Sequence, residues 1–200
     1  MKRLPDFSIE EEFSGIVCGV DEAGRGALCG PVVAAAVILD KSNWPEGIND
    51  SKVLSARKRE SLYANIFLTG TVGVGSVEAY EVDRLNVLQA SLLAMERAVS
   101  ALNLIPAMAL IDGDYAPRMT CPTRCLVGGD GISLSIAAAS IVAKVSRDRI
   151  MRVLASKHPG YGWDANVGYP TRQHLEALQH IGVTEHHRRT FGPVARALAG

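Results

Sequence analysis

Long apolar stretches are absent from this sequence. None of its runs approaches the roughly 20 uncharged apolar residues that a membrane-spanning helix requires. Residues 1–12 are charged where a secretory signal would have an apolar core. We therefore expect a soluble, cytoplasmic protein with no membrane partner.

Cysteine is scarce as well. The four cysteines, Cys18, Cys29, Cys121 and Cys125, lie in or beside apolar runs, and their spacing matches neither a disulfide-rich secreted domain nor a zinc signature. Only Cys121 and Cys125 are close enough in sequence to suggest a pair. We expect all four to be structural thiols.

Three common catalytic signatures are also missing. The chain contains no G-x-S-x-G nucleophile elbow, no phosphate-binding Walker loop and no G-x-G-x-x-G after an apolar run. These absences argue against a serine hydrolase, an NTPase and a dinucleotide-binding enzyme. Internal repeats and low-complexity segments are absent too.

Net charge is zero, with 21 Lys and Arg against 21 Asp and Glu, but the charge is unevenly distributed. Residues 141–200 hold 9 basic and 4 acidic residues, whereas residues 1–140 hold 12 and 17. All five histidines lie in the C-terminal part. A basic lobe beside an acidic body suits a metal-dependent enzyme that acts on a polyanion, although a solvated basic helix face would give the same pattern.

The chain does contain an alternation of short apolar runs and helical patterns. Apolar runs rich in β-branched residues and alanine predict strands at residues 16–20, 31–39, 70–77, 107–111 and 124–127. Apolar residues at three- and four-residue steps predict helices at residues 56–67, 82–101, 133–155 and 171–180. This alternation indicates an α/β protein with a catalytic domain at residues 1–151, on which a basic helical extension at residues 152–200 packs as part of one unit.

Acidic residues follow three of the predicted strands: Asp21 and Glu22, then Asp112, then Asp130. Because ligand sites in α/β sheets form where strand ends converge, we expect these acids to share one cleft. Oxygen-only ligands suit Mg²⁺ or Mn²⁺, and two such ions about 4 Å apart can stabilise both oxygens of a phosphodiester displacement. Each aspartate taken singly also fits an ordinary turn residue.

Other polar residues are candidates for contacts with a phosphate, sugar or base. Gly24 and Gly26 let the backbone approach a ligand closely, and Arg25 between them offers a planar fork of donors. The candidates for phosphate contacts and for stacking on a sugar or base are Ser51, Lys52, Ser140, Lys144 and Tyr169. Each of these residues also has an ordinary structural explanation. Residues 24–26 fit a turn, the serines and lysines fit solvated side chains, and Tyr169 fits a loop tyrosine packed on the core.

The run EHHRR at residues 185–189 invites a metal-site interpretation. Adjacent histidines do not share a helix face, and no cysteine lies near them in sequence. The pattern therefore predicts a surface segment.

Six motifs give the chain a resemblance to bacterial ribonuclease HII. In chain order they are GVDEAGRGALCGPVVAAAVIL, NDSKVLS, LIDGD, GGDGISLSIAAASIVAKVSRDR, VGYPT and EHHRRTFGPV. The resemblance implies a ribonuclease H-like fold, in which helices flank a mixed central β-sheet, with a C-terminal helical extension. It also implies a metal-dependent endonuclease that hydrolyses the RNA strand of RNA–DNA hybrids. Such an enzyme also incises 5′ of single ribonucleotides embedded in duplex DNA, leaving 3′-hydroxyl and 5′-phosphate ends.

The same resemblance assigns roles to individual residues, and we expect the enzyme to be a monomer. Asp21, Glu22, Asp112 and Asp130 match the metal carboxylates of the family, for two Mn²⁺ or Mg²⁺ ions with substrate bound. Our own hypothesis for the two ions is that one is held by Asp21, Asp112 and Asp130, and the other by Asp21, Glu22 and the scissile phosphate. The substrate contacts are Gly24, Arg25 and Gly26 at the ribose 2′-hydroxyl, Tyr169 at the deoxyribose after the RNA–DNA junction, and Ser51, Lys52, Ser140 and Lys144 at phosphates.

The chain departs from the family pattern at four places. Ala27 stands where proline is usual, Val53 and Gly128 where lysine is usual, and Asn166 with Val167 where histidine and lysine are usual. None of these changes affects the four acids, so we expect the chemistry to be intact. Three of them remove positive charge near the expected substrate path, so we expect weaker substrate affinity. Two alternatives stay open: another nuclease of the same fold, such as a junction resolvase, or a catalytically silent hybrid-binding protein.

Overall fold

The computed structural model describes residues 4–199, in which helices lie on both faces of one β-sheet. The strands are β1 (Val17–Ala23), β2 (Val32–Ile38), β3 (Thr71–Val77), β4 (Met108–Asp112) and β5 (Thr123–Leu126). The α-helices are α1 (Ala56–Thr69), α2 (Ala79–Leu85), α3 (Val87–Ser100), α4 (Leu134–Lys157), α5 (Trp163–Asn166), α6 (Arg172–His180) and α7 (Gly192–Ala199). Across this part of the chain, every helix is too short or too polar to cross a membrane.

The five strands lie in the order β3-β2-β1-β4-β5. β2 pairs antiparallel with β1 and β3, whereas β4 pairs parallel with β1 and β5, so the predicted mixed central sheet is confirmed. Because β1, β4 and β5 run in the same direction, their carboxyl ends lie at one edge of the sheet. Asp21, Asp112 and the turn that contains Asp130 all belong to this edge.

Helices cover both faces of the sheet. The small residues Ala90, Ala94 and Ala98 of α3 are buried against one face, and α4 packs with α1 on the other. α4 approaches β1 closely at Gly19, where a Cβ atom would lie 2.1 Å from the carbonyl carbon of Ser135. Because only glycine permits this approach, Gly19 allows α4 to lie directly against the strand that carries Asp21.

β1 is longer than its apolar run indicates. The prediction that the strand ends at Val20 is wrong, since β1 continues to Ala23. Residues 21–23 pair with residues 33–35 of β2, and this backbone pairing extends the strand through the two acids. Asp21 and Glu22 therefore lie within the sheet, on opposite faces of it.

The single helix predicted at residues 82–101 is also wrong, because the chain forms α2 and α3 with Asn86 between them. Asn86 adopts a φ of +66°, and its side-chain oxygen accepts hydrogen bonds from the N–H groups of Leu88 (3.0 Å) and Gln89 (3.2 Å). The leucine spacing fits both helices equally well. Periodicity alone therefore gave no sign of the break.

The C-terminal extension is continuous with the rest of the fold. The predicted boundary between residues 151 and 152 lies inside α4, which continues to Lys157. Farther along, Cys29 and His187 form an isolated antiparallel bridge between the first part of the chain and the extension. The helix predicted at residues 171–180 corresponds to α6, and the four cysteines are free thiols, as expected.

Candidate active site

Three carboxylates meet at the sheet edge where β1 and β4 end. Asp21 and Asp112 belong to these neighbouring parallel strands, and Asp130 lies in a single 3₁₀ turn after β5. One oxygen from each of the three lies within 4.8 Å of the others. Asp21 and Asp130 are only 5% and 6% exposed. Acids at this spacing and burial require a cation or protons to offset their repulsion.

Backbone donors hold these carboxylates in place. The N–H of Glu22 donates to Asp21 Oδ1 at 2.7 Å. The N–H of Gly129 donates to Asp112 Oδ1, also at 2.7 Å. This second bond ties the turn that contains Asp130 to the end of β4. The spacing of the three acids is therefore fixed by the backbone of two separate segments.

Two cationic side chains also contact the acids. Arg25 Nη1 donates to Glu22 Oε1 at 3.2 Å, and Lys52 Nζ donates to Asp130 Oδ2 at 2.9 Å. Partial burial lowers the pKa of the Lys52 ammonium, but its hydrogen bond and attraction to Asp130 outweigh this, so the net pKa is raised. Lys52 is therefore fully charged at neutral pH.

The pKa values of Asp21, Glu22 and Asp112 are raised. Burial raises the pKa of Asp21 well above its usual range, and the charges of Glu22 and Asp112 raise it further. Burial likewise raises the pKa of Glu22, against the opposing charge of Arg25, and it raises the pKa of Asp112. A bound divalent cation would remove the cause of these shifts, because it neutralises the acids and replaces their lost hydration.

The GRG loop (residues 24–30) begins directly after β1. Gly24 has a φ of +97°, a conformation that glycine adopts without strain and that turns the chain away from the sheet. A Cβ atom on Gly26 would lie 3.7 Å from Cε1 of Tyr169, so the loop backbone runs beside the tyrosine ring. Ala27 is fully buried, and its N–H donates to the carbonyl of Gly24 at 3.4 Å.

Tyr169 lies in a segment that is hydrogen-bonded to the GRG loop. The N–H of Leu28 donates to the carbonyl of Gly168 at 2.8 Å. Two cations face the tyrosine ring: the guanidinium carbon of Arg147 at 5.5 Å and the ammonium of Lys144 at 6.0 Å from the ring centre. The loop and the tyrosine therefore form one structural unit beside the acids.

The four residues predicted to contact phosphates lie close together, and the two serines make contacts within the fold. The Ser51 N–H donates to Ser140 Oγ at 3.3 Å, and this hydroxyl donates to the carbonyl of Ala137 at 3.0 Å. Lys144 Nζ donates to Asp148 Oδ1 at 2.8 Å. The two buried serines thus fix the loop that presents Lys52.

Arg59 is a cleft residue that sequence reasoning missed. It belongs to α1, and its Nη1 donates to the carbonyls of Ser51, at 2.8 Å, and Leu54. The sequence offered no signal for it, because one arginine in a polar helix resembles a solvated side chain.

A single cleft of about 420 Å³ brings most of the predicted site together. Its walls are formed by Asp21, Glu22, Ala23, Gly24, Arg25, Gly26, Ser51, Lys52, Arg59, Asp112, Ser140, Lys144 and Tyr169. Asp130 is not part of the wall, although its carboxylate is within 4.8 Å of those of Asp21 and Asp112.

The prediction of a surface segment at residues 185–189 is wrong for two of its members. His187 is 1% exposed and Arg188 is 0% exposed. The indole N–H of Trp163 donates to His174 Nε2 at 3.1 Å, and this nitrogen lies 3.1 Å from His187 Nε2. Burial, followed by repulsion from His174, lowers the pKa of His187 to about 3, so the ring is neutral at physiological pH. These imidazoles lie in the interior, with their ring nitrogens engaged in hydrogen bonds.

Known proteins are similar to this chain in both sequence and fold. The family model for Ribonuclease HII matches residues 18–194. The Ribonuclease HII of Paramagnetospirillum magneticum is 55% identical over 197 residues, which cover 96% of this chain and 98% of that protein. The solved ribonuclease H2 of Pyrococcus horikoshii has a TM-score of 0.77 at 26% identity, covering 91% of this chain and 96% of its own. Bst-RNase HIII in complex with Mn²⁺ has a TM-score of 0.75 at 21% identity, covering 93% of this chain and 70% of its own.

The mixed sheet between helices, with carboxylates at its edge, defines an enzyme of the ribonuclease H-like class. Within that class, the chain belongs to the ribonuclease HII family. It is a type HII ribonuclease H, an endonuclease that acts on nucleic acid, and the resemblance seen in its six motifs is confirmed.

Proposed function

We propose that this enzyme hydrolyses the RNA strand of RNA–DNA hybrids and incises 5′ of single ribonucleotides in duplex DNA, leaving 3′-hydroxyl and 5′-phosphate ends. The observation that carries this proposal is the shared cleft of Asp21, Asp112, residues 24–26 and Tyr169. Carboxylates can hold metal at a scissile phosphate, while the adjacent loop contacts the sugar beside it.

The acidic cluster suits a divalent metal. Ribonucleases H are metal-dependent, and Asp21, Asp112 and Asp130 present oxygen atoms, the donors that Mn²⁺ and Mg²⁺ prefer, within 4.8 Å of one another. We assign one ion to these three aspartates and a second to Asp21 and Glu22 together with the substrate phosphate. Bound there, the ions would supply an activated water and stabilise the departing 3′-oxygen.

Recognition of ribose falls to residues 24–26. Gly24, Arg25 and Gly26 all line the cleft, and a Cβ atom on Gly26 would have only Tyr169 within 4 Å, so the backbone at Gly26 is open to a ligand. Backbone groups can therefore reach the 2′-hydroxyl, which is the group that distinguishes RNA from DNA at a given nucleotide. Tyr169, whose ring adjoins Gly26, stacks on the deoxyribose that follows the ribonucleotide.

Binding of the substrate backbone falls to Ser51, Lys52, Ser140 and Lys144. Asp130 and Asp148 hold the two ammonium groups at the cleft, where they present positive charge to phosphates. The hydrogen bond between Ser51 and Ser140 keeps the Lys52 loop against α4. These contacts read no base, so binding depends little on sequence.

We further infer that the enzyme works as a monomer, with the extension that begins at residue 152 acting as part of the catalytic unit. α4 spans the boundary, and the Cys29–His187 bridge ties the extension to the GRG loop. The partners are RNA–DNA hybrids and duplex DNA that contains ribonucleotides.

The variant Asp112→Asn tests the metal site, because it removes one carboxylate charge with little change in shape. Loss of a metal ligand removes several kcal/mol of transition-state stabilisation, so we expect incision to slow at least about a hundredfold. The assay is cleavage of duplex DNA with one embedded ribonucleotide, with Mn²⁺ and Mg²⁺ compared.

The matched control is Asp114→Asn, which changes an exposed aspartate two residues away that does not line the cleft. Circular dichroism verifies that both variants fold. A rate near that of the unmodified enzyme for Asp112→Asn would contradict the metal assignment.

The proposed substrate is tested with three further nucleic acids: a duplex without ribose, a four-way DNA junction and an RNA–DNA hybrid. Replacing the embedded ribonucleotide by its 2′-deoxy analogue should abolish incision, and continued cutting would indicate a general nuclease. Cleavage of a four-way DNA junction without ribose would indicate a resolvase. Binding of an RNA–DNA hybrid with no cleavage product in the presence of Mn²⁺ or Mg²⁺ would indicate a catalytically silent hybrid-binding protein.

A further inference from the structure

Arg188 is fully buried beneath the GRG loop. Its Nη1 donates to the carbonyl of Arg25 at 2.9 Å, and its Nη2 and Nε donate to the carbonyl of Gly30 at 2.9 and 3.2 Å. Its own N–H donates to the carbonyl of Leu28, and the Gly30 N–H donates to the carbonyl of His186, both at 2.8 Å. The C-terminal extension thus holds the loop through both backbone and side chain.

Arg147 of α4 is the second buried arginine, at 1% exposure. Its Nε donates to the carbonyl of Pro31 at 2.9 Å, its Nη2 to Cys29 at 3.0 Å and its Nη1 to Val167 at 2.8 Å. Cys29 lies near the end of the GRG loop and Pro31 directly follows it, whereas Val167 lies two residues before Tyr169. One guanidinium therefore spans the two segments.

Gly24 packs directly against this side chain. A Cβ atom on Gly24 would lie 2.0 Å from Arg147 Nε. Because three hydrogen bonds hold the guanidinium, it cannot move aside without losing them. The beginning and the end of the GRG loop therefore both depend on where Arg147 lies.

Neither guanidinium has a carboxylate within ion-pair distance in the region from residue 4 to residue 199. Burial lowers the pKa of Arg188 to about 10, with a further contribution from the charge of Arg147, and burial also lowers the pKa of Arg147. Buried charges without acids are less stabilising than packed apolar side chains. What the two charges do provide is a set of strong, directional bonds to carbonyl oxygens.

We propose that Arg147 and Arg188 are positioning residues that fix the GRG loop at a set distance from Tyr169, and that this distance determines selection of a single ribonucleotide followed by deoxyribose. The inference rests on the functions proposed above for the loop and the tyrosine. Neither arginine lines the cleft, so Arg188 acts through the backbone that it holds, and Arg147 acts through the backbone and through the Tyr169 ring that it faces.

The test compares two substrates for Arg147→Lys and Arg188→Lys. Lysine keeps the charge but lacks the fork that bridges carbonyls. On a duplex with one ribonucleotide, kcat/KM should fall about tenfold to a hundredfold, since small misplacements in a site have effects of this size. On a continuous RNA–DNA hybrid the fall should be smaller, because every register offers a ribose and none places deoxyribose at Tyr169.

The ratio of the two kcat/KM values is the decisive quantity. A merely structural role would lower both values equally and leave the ratio unchanged, and that result would overturn the proposal. The matched control is Arg152→Lys, an arginine of the same helix that pairs with Glu60 on the surface. It should keep both activities and the ratio.

Hydrogen exchange of the same variants gives a second test that needs no substrate. Arg188→Lys should speed amide exchange in the GRG loop, and Arg147→Lys should speed it both there and in residues 167–169, while exchange in β4 stays as in the unmodified protein. Unchanged exchange in these segments would overturn the positioning role. Failure of the unmodified enzyme to select ribose, with faster exchange in the variants, would contradict the proposed function and the selection role that rests on it, while the positioning of the loop by the two arginines would stand.

Discussion

Asp21 occupies a position where an ionised carboxylate is costly. It lies on the α4 face of β1, it is 5% exposed, and its nearest charged neighbours include Glu22 and Asp112. Its carboxylate accepts a hydrogen bond from the adjacent backbone N–H of Glu22. Such a residue weakens the fold when ionised alone, and this cost becomes useful when a cation binds.

Removal of metal should therefore make stability depend on pH. The raised pKa values of Asp21 and Asp112 mean that the folded state favours their protonated forms. This contribution is present below the unfolded pKa of about 3.9 and is lost as pH rises through the folded pKa values. A bound divalent metal offsets this loss of stability. Protons compete less with the metal for the carboxylates as pH rises.

We expect saturating Mn²⁺ to raise the melting temperature of the EDTA-treated protein by about 5 to 10 °C at about pH 8, and by less at about pH 6. Thermal unfolding followed by circular dichroism measures both values. Asp112→Asn serves as the control and should show a smaller rise. An equal rise in melting temperature at both pH values would show that ionisation of Asp21 and Asp112 is not its cause.

At the scale of elements, the break between α2 and α3 depends on one residue. Asn86 combines a positive φ with a side chain that accepts hydrogen bonds from two N–H groups at the start of α3. Alanine would lose both bonds and would keep the unfavourable φ. Glycine would lose the bonds but would adopt the φ freely.

Asn86→Ala should destabilise the protein by about 2 kcal/mol, which corresponds to a fall in melting temperature of about 4 to 8 °C. Asn86→Gly should cost about half as much. Asn86 does not line the cleft, so both variants should keep their incision rates at 25 °C. Equal melting temperatures for the two variants would show that backbone strain at this position is negligible.

At the scale of the whole molecule, the basic C-terminal part is less exposed than its sequence suggests. Arg147 and Arg188 account for two of its positive charges, and both are buried. The charge available for nucleic acid is correspondingly smaller. Val53, which is 61% exposed, directly follows Lys52 of the cleft wall and stands where the family resemblance places a lysine.

Val53→Lys should add a positive charge beside Lys52 that can contact a substrate phosphate. In the Asp112→Asn background, we expect tighter binding of a ribonucleotide-containing duplex and a salt dependence of log K steeper by about 0.9, the value for one additional phosphate contact. Fluorescence anisotropy over a range of salt concentrations measures this slope. The control is Val153→Lys, an exposed valine of α4 outside the cleft, which should leave the slope unchanged.

Local sequence patterns predicted most of the architecture. The α/β class, all five strands and the convergence of acids at one sheet edge follow from apolar periodicity and from acids at strand ends. The end of β1 could not be predicted from local sequence, because pairing with β2 extends the strand. The break at Asn86 did not follow either, because both helices share one apolar spacing.

The sequence by itself determined which residue types are available for chemistry: four acids, a glycine-flanked arginine and a tyrosine in a motif order that matches one family. Only the tertiary structure decided which of the basic residues face the cleft and which lie beneath it. In the sequence, Arg25 and Arg188 both fit a solvated arginine. In the structure Arg25 lines the cleft, whereas Arg188 is buried and donates a hydrogen bond to the carbonyl of Arg25. Burial depends on packing between distant segments, and local sequence carries no record of those contacts.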